Sequence, residues 1–176
     1  MNERSDDLTG TTSASSDYET AIRAADGLEL RVWLRLLTCA NMIERHVRQK
    51  LRDRFDITLP RFDLLAQLDR APDGLALGEI SRRLMVSNGN VTGLIDRLTA
   101  EGLIDRRHAP EDRRIQIVRL TPAGKAAFDA MTPEHRDWIK TVMSGLDRRA
   151  LAQLLELLGQ LKDSTGRAAA REDGNR

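Results

Sequence analysis

Residues 77–124 read LGEISRRLMVSNGNVTGLIDRLTAEGLIDRRHAPEDRRIQIVRLTPAG, and their hydrophobic period changes partway along. Leu77, Ile80 and Leu84 recur at helical spacing and mark a short amphipathic helix. Met85-Val86 leads to Ser87, whose short oxygen-bearing side chain suits the cap of a second helix. That helix offers Val91, Leu94, Ile95 and Leu98 for burial on one face, and Gly102 stands where a left-handed residue ends it. Two short helices about a tight turn make a helix-turn-helix pattern. From Leu103-Ile104 the period becomes two. With residues 115–120 this predicts a two-stranded hairpin, a wing, around the polar turn Ala109-Pro110-Glu111-Asp112.

Downstream, Thr121-Pro122 restarts helix, with threonine as cap and proline at the first position, where a missing N–H is harmless. Thr132-Pro133-Glu134 is expected to kink or restart it, and Leu151, Leu154, Leu155, Leu158 and Leu161 share one stripe of a final helix. Upstream, Ala71-Pro72-Asp73-Gly74 is turn chemistry, and Thr58 and Pro60 open a helix holding Phe62, Leu64, Leu65 and Leu68. Residues 28–54 predict a long helix whose first half is apolar on most sides: Leu30, Val32, Trp33, Leu34, Leu36, Leu37, Cys39, Met42, Ile43. Such a helix is expected to be buried all round, in a core or at a dimer interface. Residues 1–26 read as a flexible polar extension with room for one short helix over 17–25; residues 27–162 are the folded part, and residues 163–176 a frayed tail. The fold class is mainly α with a small β-hairpin wing.

Composition narrows the function. Only 3% of residues are aromatic, and the 28 Lys+Arg nearly cancel the 27 Asp+Glu, so any nucleic-acid surface must be local rather than a property of the total. No apolar run reaches the length of a membrane helix, and MNERSDDLTG lacks the apolar core of a secretory signal, so a cytoplasmic location is expected. One cysteine forms no internal disulfide. The three histidines show no metal-ligand spacing, no nucleophile–base arrangement or phosphate-cradling loop is present, and neither catalysis nor a cofactor is expected.

The second helix of the motif carries Gly89, Asn90, Thr92, Gly93, Asp96 and Arg97 opposite its apolar face, beside Ser87 and Asn88 at its start. Two exposed helical glycines cost roughly 1 kcal/mol each relative to alanine. Glycine also lets a backbone approach another surface closely, here the floor of a major groove. Asn90 can pair with an adenine edge, Thr92 can touch a thymine methyl, and Arg97 can reach phosphate or guanine. In the hairpin, Arg106, Arg107, His108, Arg113 and Arg114 crowd together, with Asp105, Glu111 and Asp112 placed to orient them. Cations on a small protruding hairpin suit phosphate and minor-groove contact. The bland alternatives are a poor helix in solvent and a salt-bridged turn.

Residues 77–124 resemble the signature of the MarR family of transcription regulators. The resemblance is carried by Leu98-Thr99-Ala100-Glu101-Gly102-Leu103, by Arg106, by Asp112 with Arg114, and by Leu120-Thr121-Pro122-Ala123-Gly124. The order of helices agrees from about residue 28 to 161. The resemblance implies a homodimer joined through the N- and C-terminal helices, binding a pseudo-palindromic operator in double-stranded DNA as a ligand-responsive regulator, by family expectation a repressor. Many members carry arginine where this chain has Gly93, so Asn88, Asn90, Thr92 and the wing, or DNA shape, must supply discrimination here.

The same resemblance places a small-molecule effector between the dimer helices and the DNA-binding lobe. Arg31, Trp33, Arg35, His46, Arg61 and Phe62 are the candidates, each with a plainer reading as core or solvated rim. The run LRVWLRLLTCANMIERHVRQKLR is similar to a subgroup that controls aromatic-acid breakdown, which implies an aromatic acid or its CoA thioester; Arg31, Arg35, Arg61 and Arg82 suit the phosphates of CoA. Two alternatives stand beside this: a redox switch at Cys39, which burial in an apolar stretch would blunt, and a winged helix used only for protein contact.

Overall fold

The computed structural model describes residues 27–85, 87–109, 112 and 114–173. The order of elements is α1 (Leu28–Phe55), α2 (Leu59–Asp69), β1 (Leu75–Ala76), α3 (Leu77–Leu84), α4 (Asn88–Ala100), β2 (Ile104–His108), β3 (Gln116–Leu120), α5 (Pro122–Val142) and α6 (Arg148–Asp173). The short helix expected over 17–25 lies outside the described residues, as do Pro110, Glu111 and Arg113 of the wing. The chain divides into two units, residues 1–45 and residues 46–176.

The second unit is built on the apolar periodicities. Leu64, Leu65 and Leu68 of α2, Ile80 of α3, and Val91, Ile95 and Leu98 of α4 are buried together with Ile104 and Val118 of the sheet. Leu94 is only half-buried, because it sits at the edge of the α4 apolar face. The expected hairpin forms from β2 and β3, and a third strand, β1, joins it in the antiparallel order β1-β3-β2, with Leu75 opposite Val118 and Ile104 opposite Leu120. Two residues were too few to show a period in the sequence. They follow Gly74, whose φ of +90° turns the chain onto β3.

One junction joins α4, the sheet and α5. Gly102, with φ of +73°, ends α4 in the left-handed region, and the Leu103 N–H donates to the Leu98 carbonyl at 3.0 Å. Thr121 caps α5: its hydroxyl accepts from the Gly124 N–H at 3.0 Å and donates to the Gly102 carbonyl at 2.7 Å. Its own N–H donates to the Leu103 carbonyl at 3.1 Å. A Cβ on Gly124 would lie 1.8 Å from that same Leu103 oxygen, so only glycine lets α5 approach so closely.

Two helical expectations are corrected. Pro133 neither restarts nor ends α5, which runs unbroken from Pro122 to Val142. The chain does not fray after Lys162. Instead α6 continues to Asp173, because Arg167, Ala168-Ala169-Ala170 and Arg171 are strong helix formers that outweigh Gly166. Of the leucine stripe of α6, Leu154, Leu155, Leu158 and Leu161 are exposed in the single chain.

In the first unit the apolar half of α1 is likewise not buried all round. Leu28, Leu30, Val32, Trp33 and Met42 are exposed in the single chain, and so is Cys39. Among the described residues, no helix is long and apolar enough to cross a membrane.

Candidate nucleic-acid interface

Helix α4 is the candidate reading element, and its sequence decides which side faces out. Burying Val91, Ile95 and Leu98 leaves Gly89, Asn90, Thr92, Gly93, Asp96 and Arg97 exposed. A Cβ added at Gly89 or Gly93 would meet nothing within 4 Å. No contact inside the chain requires glycine at either place. Ser87 is the cap residue, with extended backbone, and the Val91 N–H donates to its carbonyl at 3.1 Å; its hydroxyl makes no capping hydrogen bond. The side chain of Asn88 lies outside the described residues.

The two flanks of α4 differ. On one, Asn90, Gly93 and Arg97 line a cleft of about 520 Å³ whose other wall carries Thr58, Pro60 and Arg61. The Arg61 guanidinium donates to Glu101 at the end of α4. On the other flank, Arg106 of β2 donates to Asp96. Neither pairing was foreseen from the sequence, although Arg106 stands two residues from Ile104 and so had to share its inward face.

At the wing, Asp112 holds Arg114 through two routes. Its carboxylate accepts from the Arg114 backbone N–H at 2.9 Å and from the guanidinium Nε and Nη2 at 3.0 and 2.9 Å. The guanidinium beside it holds the Asp112 carboxyl below the usual carboxylate range and raises Arg114 in turn. The Arg114 side chain remains 90% exposed: its guanidinium is held along the Nε–Nη2 edge by Asp112 and is otherwise open to an external partner. Arg107 pairs with Asp105 at 2.9 Å, and His108 is exposed on the same strand. Arg113 lies outside the described residues. On α3, Glu79 accepts from both Arg82 and Arg83, the latter at 2.6 Å.

The effector candidates do not share one environment. Phe62 is taken up by the core, 5.5 Å from the Phe128 ring and 4.6 Å from His135. Arg61 is occupied by Glu101, with its Nε buried and unpartnered. His46 is half-buried, while Arg31, Trp33 and Arg35 are exposed on α1. Among the described residues, no group of His, Cys, Asp or Glu is arranged to hold a metal ion.

A short helix, a turn, a glycine-faced second helix and an arginine-bearing hairpin define a winged helix-turn-helix protein. A model of the MarR family matches residues 55–115. The repressor YetL of Bacillus subtilis is 33% identical over 102 residues, covering 57% of this chain and 61% of that protein, so the chain spans about three-fifths of that relative. A helix-turn-helix transcriptional regulator of Bacillus cereus is 32% identical over 103 residues, 58% of this chain and 67% of its own length. The activatory protein BadR of Rhodopseudomonas palustris is 27% identical over 152 residues, 85% of this chain and 86% of BadR. Among solved structures, BpsR of Bordetella bronchiseptica, whose DNA binding is regulated by 6-hydroxynicotinic acid, superposes with a TM-score of 0.67 at 25% identity, over 75% of this chain and 98% of that one. MepR of S. aureus, solved with DNA, gives 0.65 at 25% identity, over 76% and 96%. The chain belongs to the MarR family of transcription regulators.

Proposed function

We propose that this chain is a homodimeric regulator that binds a pseudo-palindromic operator in double-stranded DNA through α4 and the wing, and that a small aromatic acid or its CoA thioester releases it. The observation that carries the reading is the pairing of a glycine line on α4 that no described contact in the chain requires with an exposed wing arginine paired to Asp112. Ser87, Asn88, Gly89, Asn90, Thr92 and Arg97 would face base edges, while Arg106, Arg107, Asp112, Arg113 and Arg114 would serve the wing. The uncovered leucines of α6 and apolar residues of α1 are the surfaces a second copy would cover. Arg31, Trp33, Arg35, His46 and Arg61 remain the residues proposed for the effector, and BpsR is a relative in fold that answers to such an acid.

Repression is the proposed direction, as in YetL; BadR, similar along more of the chain, is activatory, and this favours activation as the second reading. Sedimentation and mobility shift test the proposal together. A dimer that retards duplexes from its own genomic neighbourhood at low ionic strength, and is released by phenolic acids or their thioesters, is expected. A monomer that retards none would overturn it. Transcription in vitro from the bound promoter decides the direction.

A further inference from the structure

Asp96 is a carboxylate on the exposed face of the proposed reading helix, 56% exposed in its side chain. Set there alone it would repel a duplex. Its surroundings give the reason for it. Helix α4 packs on β2, and side chains alternate along a strand, so Arg106 leaves β2 on the face that buries Ile104. There its guanidinium donates to Asp96. The Arg106 side chain is 27% exposed, against 67% for Arg107 and 90% for Arg114. Of these three wing arginines, Arg106 alone is turned back onto the helix.

We infer that Asp96 is a positioning residue: through Arg106 it fixes the angle between the reading helix and the wing, so that both meet one duplex in register. The inference rests on the DNA-binding reading above and refines it, because Arg106 is then committed to Asp96 rather than to phosphate. The opposite flank of α4 is held in the same manner by Arg61 on Glu101, so the helix is braced from both sides.

The two roles open to Asp96 predict changes of opposite sign. If it is only a surface charge, Asp96→Asn removes repulsion and tightens binding to every duplex. If it positions Arg106, the same change weakens binding where fit matters. The probes are a duplex enriched by the wild-type protein from a randomised pool and a scrambled duplex of equal length. We expect Asp96→Asn to lose about tenfold on the enriched duplex, the size of one lost base contact, with no loss on the scrambled one. Asp96→Glu, which keeps the carboxylate, should recover most of the loss, and thermal melts of all variants should confirm that they fold. Arg106→Ala should leave the slope of log K against log salt unchanged, since that guanidinium is not on phosphate. Tighter or equal binding of Asp96→Asn to the enriched duplex, or a salt slope flattened by about one unit in Arg106→Ala, would overturn the inference while leaving the DNA-binding reading standing. Failure of the wild-type protein to enrich any duplex would instead remove the reading itself, and the inference with it.

Discussion

Glycine occurs in two regions of this molecule for opposite reasons. At Gly124 a side chain would collide with the Leu103 backbone, where the end of α4, the sheet and the start of α5 are tied together by Thr121. At Gly89 and Gly93 a side chain would enter open space. The first glycine is explained inside the chain and belongs to the fold. The other two meet nothing inside the chain, as is also true of Gly78, Gly159 and Gly166; under the DNA binding proposed above, Gly89 and Gly93 have a reason outside the chain. Gly124 stands in the stretch that carries the family resemblance, whereas Gly93 stands where many members carry arginine.

Substitutions should separate the two regions sharply. Gly124→Ala has the largest expected effect: relieving the overlap must push α5 from the Leu103 carbonyl, costing about 3 kcal/mol or more, or preventing folding, as read by chemical denaturation. Arg114→Ala should leave denaturation unchanged but weaken binding to all duplexes, flattening log K against log salt by about one unit. Gly89→Ala and Gly93→Ala should each stabilise the fold by up to about 1 kcal/mol while reducing affinity for the preferred duplex. Stability and binding moving together would place these glycines with Gly124.

A smaller effect concerns His135. Burial against Phe62 holds it below its ordinary value of 6.5, so on acidification the unfolded chain takes up that proton first. Its contribution to stability is whole above pH 6.5 and is lost as pH falls below that toward the folded value. The unfolding midpoint of the wild type should therefore fall more steeply between neutral and mildly acid pH than that of His135→Gln.

The second unit was largely legible because its elements have clear periods and clear ends. Val91, Ile95 and Leu98 declared a buried face, Thr121-Pro122 a helix start, and Gly102 a helix end. What escaped was non-local. The strand at Leu75 and Ala76 exists only by pairing with β3, and the ion pairs of Arg61 and Arg106 join residues 40 and 10 positions apart. In the first unit the apolar pattern of α1 suited a core or a dimer interface alike, and Trp33 and Met42 are exposed in one chain. A sequence records that a surface needs cover and does not record whose surface supplies it. The length of α6 was missed for another reason: residues after Leu161 offer no apolar stripe, and intrinsic propensity alone carries the helix on.

The central claim is that α4 and the wing meet DNA as a two-fold pair. Hydroxyl-radical footprinting of the wild-type protein on a duplex it enriches tests this most directly. Two symmetric protected half-sites centred about one helical turn, roughly 10 base pairs, apart are predicted, with wing protection lost in Arg114→Ala. A single unpaired footprint, or one that Arg114→Ala leaves intact, would contradict the account.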